Sequence, residues 1–272
     1  MQQGYVVLQR AGSGALGAEE RLIASYASTV GMSIRFLGRS ELRKNVDLLH
    51  GAALCSGGVT WVKEAMLMTG RQLPFHDPYP MSARPFLYRR VWRMSRLYDA
   101  LDLAGSCPQG LFIKPHDGWK RFTGFVVTDC HDRHDPRLNG YSRNAAVWCS
   151  EVIQIASEWR VYVLHDVTEA VCLAPGCESE EAPEMKVVEE IRAALAGQRS
   201  GYVFDVAVAN DVATGLKRTM LLEVNDGFSF GAYSDVAPEV IFAVQRARWE
   251  ELRPAMQELA SAKLQPCPHR TY

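Results

Sequence analysis

The sequence lacks any apolar run of the ~18 residues that a helix needs to cross a bilayer, which excludes a protein built from transmembrane helices. It also lacks an excess of charge, because 30 Lys and Arg residues stand against 31 Asp and Glu residues and the formal net charge is −1. A nucleic-acid binder that relies on a basic face needs far more positive charge than this. We therefore expect neither a membrane nor a nucleic acid among the partners of the chain.

Paired cysteines and a secretory signal pattern are missing as well. The seven cysteines are an odd number and include no C-x-x-C pair, as expected for reduced thiols rather than for a disulfide framework. The start of the chain carries one arginine and a short apolar stretch, which does not resemble a signal peptide. These features predict a globular cytoplasmic protein, and 272 residues are enough for one large domain or two modest ones.

Strand and helix patterns alternate in the first third of the chain. Short apolar runs predict strands and longer periodic runs predict helices, at 5–8, 18–30, 34–37 and 60–69. The segment 74–80 holds three prolines, which cannot continue a helix or a central strand, and it indicates a domain boundary. The basic and aromatic segment that follows, 83–103, is predicted to be a helix.

From residue 111 onward, β-branched and aromatic residues dominate short runs. These runs predict seven strands, at 111–115, 123–128, 146–155, 159–165, 169–174, 202–208 and 219–224. Helical patterns occur at 182–196 and at 237–262, the second with a bend at Pro254. Mixed strands with helices at one face predict an α/β or α+β fold.

The residues from Gly12 to Gly17 spell G-x-G-x-x-G between a predicted strand and a predicted helix. This motif can hold the pyrophosphate of a dinucleotide at a helix N-terminus. Gln9 interrupts the apolar strand, and the second strand is followed by no acidic residue for a ribose, although Arg39 there could favour a 2′-phosphate. The alternatives are an NADP-linked oxidoreductase and a glycine loop without a nucleotide.

A second motif, from Cys130 to Asp135, contains thiol, imidazole and carboxylate groups of the kind that bind transition metals. Zinc sites need about four converging ligands, and Arg133 within the motif repels a cation. The motif is therefore either part of a metal site or a polar loop between strands.

Two further groups of residues indicate a single chemistry. Lys114 ends a predicted apolar strand and Lys120 follows in a loop, so the two ammonium groups can meet a polyphosphate from two sides. Asp205 lies in an apolar strand, while Glu223 and Asn225 are two residues apart in another and share a face. If these strands pair, three oxygen ligands converge on a site suited to Mg²⁺. The alternative is that the carboxylates pair with Lys or Arg, although carboxylates in such apolar strands are costly without a cation.

The ordered set of these segments resembles the ATP-grasp superfamily, and looks closest to small ligases that resemble the glutamate ligases acting on ribosomal proteins. The matching segments are Phe112-Ile113-Lys114-Pro115, Lys120-Arg121-Phe122-Thr123-Gly124, Ser150-Glu151-Val152-Ile153, Glu158-Trp159-Arg160-Val161, Phe204-Asp205-Val206 and Leu222-Glu223-Val224-Asn225-Asp226. The resemblance implies an α+β ATP-grasp fold, in which two α+β lobes surround ATP, preceded by a small α/β N-terminal domain. It implies an N-terminal domain at 1–82 and an ATP-grasp domain at 83–272, with a hinge near 150–155.

The resemblance also implies roles for individual residues. Lys114 and Lys120 would contact the phosphates, and Lys120 and Arg160 would be the catalytic residues, with Arg160 at the transferred phosphoryl group or the acyl phosphate. The adenine and the ribose would be held by the hinge strand and a residue after it, namely Glu151, Val152, Ile153 and Glu158. Mg²⁺ would be bound by Asp205, Glu223 and Asn225.

The activity that the resemblance implies is that of an ATP-dependent carboxylate–amine ligase, which forms an acyl phosphate and releases ADP. Its cofactors would be ATP and Mg²⁺, and its substrates a small-molecule or peptide carboxylate and an amine. This chemistry needs no protein nucleophile, and the sequence shows no convincing Ser-His-Asp or Cys-His arrangement. The alternatives from other classes are the NADP-linked oxidoreductase and a catalytically silent ATP-grasp-fold binding module.

Arginines are concentrated in the predicted helix at 83–103. They are Arg84, Arg89, Arg90, Arg93 and Arg96. They either form a solvated helix face or bind an anionic, carboxylate-bearing substrate.

Overall fold

The computed structural model describes residues 4–75, 77–119 and 121–253. Lys120, and the part of the predicted terminal helix beyond residue 253, lie outside the described residues. Within these ranges the chain forms eleven strands in three sheets, with helices packed against them. None of the described helices is both long and apolar enough to span a membrane.

The first sheet is parallel and has the strand order β2-β1-β3. Its elements are, in chain order, β1 (Tyr5–Gln9), α1 (Ala18–Thr29), β2 (Ser33–Leu37), α2 (Val46–Gly51), β3 (Leu54–Ser56) and α3 (Val59–Met68). Val6, Val7 and Leu8 are all fully buried. Because successive side chains of a strand point to opposite faces, the central strand β1 is covered on both faces.

The second sheet is antiparallel and has the order β4-β7-β5-β6. Its elements are β4 (Val91–Met94), α4 (Leu97–Ala104), β5 (Leu111–Pro115), β6 (Phe125–Val127) and β7 (Val147–Ser150). Helix α4 buries Leu97 and Leu101 in one core with Ile113 of β5. This spacing of four residues places both leucines on the same helix face.

The prediction of one helix over 83–103 is wrong. The chain forms a 3₁₀ helix (Met81–Phe86), then β4, then α4. Pro85 lies inside the 3₁₀ helix and cannot donate to a continuing α-helix. Val91 and Trp92 pair with Ser150 and Cys149 of β7, which a pattern within one segment does not reveal.

The third sheet is antiparallel and has the order β11-β10-β8-β9. Its elements are β8 (Ile155–Leu164), β9 (Val167–Leu173), α5 (Met185–Leu195), β10 (Gly201–Asn210), β11 (Lys217–Asp226) and α6 (Pro238–Glu251). In β10, Val203 packs in the core that includes α6, whereas Phe204 packs in the core that includes α5. The two helices thus cover opposite faces of the sheet.

Residues 151–154 carry the chain from the second sheet to the third, because β7 ends at Ser150 and β8 begins at Ile155. The single strand predicted over 146–155 therefore ends early, and the hinge expected there stays a prediction. One hydrophobic core joins the first sheet to α6 and to Tyr162 and Val203 of the third sheet. The N-terminal elements are thereby packed directly against the sheet that carries the predicted metal ligands.

Candidate functional site

A cavity of about 430 Å³ lies between the second and third sheets. Its walls come from β5, β6 and β7 on one side and from β8, β10 and β11 on the other. Most of the predicted site residues line this interlobe cavity, namely Lys114, Glu151, Val152, Ile153, Glu158, Asp205 and Glu223. The fold thus gathers residues from distant parts of the sequence into one place.

Lys114 and Glu223 form an ion pair in the interlobe cavity, in which Lys114 Nζ donates to Glu223 Oε2. The ammonium nitrogen also lies 4.5 Å from the centroid of the Tyr79 ring. Burial lowers the pKa of Lys114, but Glu223 and Tyr79 raise it more, so the net shift is upward. Lys114 therefore stays charged although its side chain is only 10% exposed.

Arg160 and Asp205 form a bidentate pair between β8 and β10. Arg160 Nε donates to Asp205 Oδ1 at 2.7 Å, and Nη2 donates to Oδ2 at 2.8 Å. Arg160 Nη1 donates to the carbonyl oxygen of Gly231 at 2.6 Å. Burial opposes the charge on Arg160, but contact with Asp205 outweighs it and raises the pKa of the guanidinium group. Parallel hydrogen bonds of this kind fix geometry as well as charge.

Asn225 connects the two carboxylates. Its Nδ2 donates to Glu223 Oε1 at 2.8 Å and to Asp205 Oδ2 at 3.2 Å. The strand pairing expected from the sequence is confirmed, because Asp205 lies opposite Glu223 in the β10–β11 ladder. All three side chains carry oxygen atoms, the donors that a hard cation such as Mg²⁺ prefers.

A bulge shapes this part of β11. The register with β10 shifts after Asp205, so β11 has one residue more than its partner. As a result Leu222 and Glu223, although adjacent in sequence, both line the interlobe cavity. Arg89 donates to the carbonyl oxygens of Leu221 and Leu222, each at 2.8 Å, and holds the bulge in place. The sequence analysis missed this role, for which the only signal was the cluster of arginines.

The five clustered arginines do not share one face. Arg90 binds Glu151, Arg96 binds Asp99, and Arg89 is the member of the cluster that lines the interlobe cavity. The expectation of a single arginine-lined helix for an anionic substrate is therefore wrong.

Glu158 and Tyr233 lie beside the buried arginine. Tyr233 Oη donates to Glu158 Oε1, and the Arg160 guanidinium carbon lies 4.0 Å from the centroid of the Tyr233 ring. Burial raises the pKa of Glu158, and the hydrogen bond from Tyr233 lowers it in part. Tyr233 thus connects the residue expected at the ribose with the residue expected at the transferred phosphoryl group.

The segment after β7 is fixed by Glu151. Its carboxylate accepts from Arg90 N at 2.8 Å and from Arg90 Nε at 2.6 Å. Nearby, the apolar side chains of Val126 and Ile155 line the cavity from opposite sheets, and the residues are 40% and 44% exposed. A flat aromatic ligand between the sheets would cover both of them.

The glycine loop leads directly into α1, which begins at Ala18. Two of its amides are used within the loop, since Ala11 N donates to Ala15 O at 2.9 Å and Gly14 N donates to Ala11 O at 2.8 Å. The first turn of α1 carries Glu19 and Glu20, whose negative charge disfavours a phosphate at this N-terminus. The geometry thus does not favour a dinucleotide here.

The second motif forms a 3₁₀ helix (Cys130–His134). The side chain of His131 is 83% exposed, and the side chains of Cys130 and Arg133 lie outside the described part of the chain. Among the residues that the structure describes, no group of three or more His, Cys, Asp or Glu side chains is arranged to hold a metal ion. The observed geometry is that of a polar loop.

Comparison with known proteins agrees with the resemblance read from the sequence. A family model for an ATP-grasp domain, the second family of its clade, matches residues 86–241, which is more than half of the chain. No curated protein matches the chain in sequence.

Several solved structures share the fold. Carboxyaminoimidazole ribonucleotide synthase from Aspergillus clavatus, complexed with ATP, is 12% identical with a TM-score of 0.56, over 92% of this chain and 78% of that chain. D-alanine–D-alanine ligase from Bacillus anthracis, complexed with ATP, is 11% identical with a TM-score of 0.52, over 96% and 99% of the two chains. N5-carboxyaminoimidazole ribonucleotide synthetase from Thermotoga maritima is 9% identical with a TM-score of 0.53, over 91% and 76%. At such identities the likeness shows the fold alone, and the expected ATP-grasp fold is confirmed.

Proposed function

The chain belongs to this family of ATP-grasp domains, and from this membership we propose that it is an ATP-dependent carboxylate–amine ligase. The observation that carries the proposal is the row of contacts in the interlobe cavity. The row runs through Lys114, Glu223, Asn225, Asp205 and Arg160. Two cations and two carboxylates buried together suit a ligand that itself combines both signs of charge, such as a polyphosphate with a divalent cation.

The interlobe cavity is proposed to hold ATP. Val126 and Ile155 offer apolar surface to the adenine, Glu158 offers a carboxylate to the ribose hydroxyls, and Lys114 offers its ammonium group to the phosphates. The two solved structures named above with ATP share the fold, which supports this placement. Lys120 is proposed as a second phosphate contact, on the sequence resemblance alone.

The oxygen-bearing side chains of the same cavity fit Mg²⁺. Asp205, Glu223 and Asn225 meet within hydrogen-bonding distance and supply two carboxylates and an amide. Bound Mg²⁺ would neutralise charge on the phosphate oxygens. In the structure described here Lys114 and Arg160 balance the two carboxylates, which explains how such strands can bury them.

The proposed reaction has two steps. An oxygen of the substrate carboxylate attacks the γ-phosphorus of ATP, the bond from that phosphorus to the β–γ bridging oxygen breaks, and ADP leaves. The amine nitrogen then attacks the acyl carbon, the carbon–oxygen bond to phosphate breaks, and inorganic phosphate leaves. Arg160 is fixed by Asp205 and Gly231, so its charge is preorganised to stabilise the acyl phosphate.

A thermal-shift titration tests the proposal. ATP with Mg²⁺ should raise the Tm as its concentration passes Kd, ATP with EDTA should raise it less, and NADP⁺ should leave it unchanged. Lys114→Ala should weaken ATP binding by at least about tenfold, because a charge-assisted contact to phosphate is lost. Lys186→Ala, whose side chain is 88% exposed on α5, is the matched control and should bind ATP normally. Stabilisation of the wild-type protein by NADP⁺ and not by ATP would refute the proposal.

A further inference from the structure

A second cavity, of about 420 Å³, lies where the first sheet meets the third. It opens at the carboxyl ends of β1 and β3, and Gln9 and Gly57 line it there. Since β2 and β3 flank β1 on opposite sides, the gap between β1 and β3 is a point at which the chain reverses its direction across the sheet. Crevices of this kind are common ligand sites in parallel sheets.

Two carboxylates reach this second cavity from the first turn of α1. Glu19 and Glu20 line it, and Glu20 is only 6% exposed. Gly17 leaves the room for this carboxylate, because a Cβ at that position would overlap Glu20 Oε2. The guanidinium group of Arg39, which also lines the cavity, is already bound to Glu64. The second cavity thus presents negative charge to a ligand.

An unpartnered buried oxygen faces the same space. Gln245 is 1% exposed and lines the second cavity, and its Oε1 has no hydrogen-bond partner among the residues that the structure describes. A buried polar atom without a partner costs free energy, so it is expected where a ligand supplies the missing group. An oxygen acceptor needs an N–H or O–H donor, and an ammonium group carries three N–H donors.

Gly231 separates the second cavity from the buried arginine. It lines the cavity, and its carbonyl oxygen accepts from Arg160 Nη1 at 2.6 Å. A Cβ at Gly231 would lie 3.5 Å from both Arg160 Nη1 and Glu19 Oε1. A ligand group held by Glu19 would therefore lie next to the guanidinium group that is proposed to hold the acyl phosphate.

We propose that the second cavity binds the amine substrate through a primary ammonium group, held by Glu19, Glu20 and Oε1 of Gln245. The identification of this ligand as the amine substrate rests on the proposed ligase function, whereas its binding does not require turnover. The ammonium group must lose one proton before the nitrogen can attack, and a carboxylate of the cavity accepts it. Burial raises the pKa of Glu20, which suits that carboxylate to the role.

Calorimetric titration of the full chain, saturated with Mg²⁺ and a non-hydrolysable ATP analogue, tests the ammonium site. Butylamine and 1,4-diaminobutane are the cationic probes, butan-1-ol is a neutral counterpart and succinate an anionic one. Both amines should bind at least about tenfold more tightly than the alcohol, since their hydrogen bonds to carboxylates are charge-assisted. Equal affinity for amine and alcohol, absence of amine binding, or preferred binding of succinate would each overturn the proposal.

Variants locate the site. Glu20→Gln and Gln245→Met should each weaken binding of the amines about tenfold and leave the Kd of ATP with Mg²⁺ unchanged. Glu239→Gln removes the same charge from an exposed position on α6, the helix of Gln245, and should leave amine binding unchanged. Unchanged amine affinity in both cavity variants would refute the site alone, whereas failure of wild-type protein to bind ATP would refute the proposed function.

Discussion

The two cavities differ in how their buried charges are balanced. In the interlobe cavity each carboxylate contacts a cation, Glu223 with Lys114 and Asp205 with Arg160. In the second cavity, Glu19 accepts from the backbone N–H of Ala232 at 2.7 Å, and burial raises the pKa of Glu20. Since burying charge is costly unless it is compensated, the first cavity is compensated within the protein, whereas the second gains most from a ligand of positive charge.

This difference indicates what each ligand must bring. A ligand that enters the interlobe cavity displaces contacts between opposite charges, so it must replace both a cation and an anion, as a metal–phosphate complex does. A ligand of the second cavity has to supply only positive charge and N–H donors. Changes to the charges of the two cavities should therefore have different signs and sizes.

The largest effect is expected when both carboxylates of the interlobe cavity are neutralised. Asp205→Asn combined with Glu223→Gln keeps the size of the side chains but removes the charges that are proposed to hold Mg²⁺. We expect the affinity for ATP in the presence of Mg²⁺ to fall about 100-fold and its dependence on Mg²⁺ to disappear, measured by titration with and without EDTA. Glu181→Gln, which removes a carboxylate paired with Lys217 at the far end of β11, is the control. Unchanged nucleotide affinity in the double variant, with a folded circular-dichroism spectrum, would contradict the metal assignment.

A smaller, ligand-specific effect is expected at the edge of the interlobe cavity. Glu158→Ala removes the carboxylate proposed to bind the ribose hydroxyls and should weaken ATP about tenfold, while inorganic triphosphate should bind with little change. Calorimetry with both ligands measures the difference. Glu169→Ala, at an exposed position of β9, is the matched control. Equal losses for ATP and triphosphate would contradict the role of Glu158 at the ribose.

Much of this comparison between cavities could be predicted from the sequence, because the ligands of the interlobe cavity lie in regular strands. Lys114 ends an apolar strand, and the alternation within a strand places Glu223 and Asn225 on one face. The pairing of Asp205 with Glu223 follows once two adjacent strands form an antiparallel hairpin. These residues are therefore predictable from local pattern alone.

The remaining features depend on contacts between segments that are distant in sequence. Strand β4 forms because Val91 and Trp92 pair with β7, and local composition there favours a helix as readily. The bulge at Leu222 is held by Arg89, which lies far away in the chain. Gln245 reaches the second cavity from α6, and no motif near it indicates a site. Tertiary contacts of this kind leave no local periodic signal.

The smallest effect, and the one that distinguishes the two cavities by sign, is expected for Glu20→Gln. Because burial raises the pKa of Glu20 in the folded state above its ordinary value of 4.5, the folded protein binds this proton more tightly than the unfolded chain does. As the pH rises through the window between 4.5 and the raised pKa, deprotonation costs the folded state free energy, so wild-type stability falls there. The variant lacks this loss and should be more stable than wild type at about pH 7, by roughly 1 kcal/mol. Below the ordinary carboxyl pKa the difference should vanish.

Urea unfolding at about pH 4 and about pH 7 measures the free energies that this expectation compares. Glu223→Gln should change stability in the opposite direction at about pH 7, because it leaves the buried Lys114 ammonium group without its carboxylate partner. Glu190→Gln, half-exposed on α5, controls for the loss of one negative charge from the whole chain. If Glu20→Gln and Glu223→Gln both destabilised the protein at neutral pH, the charges of the two cavities would be balanced alike, and an ammonium ligand would no longer be needed to explain the second cavity.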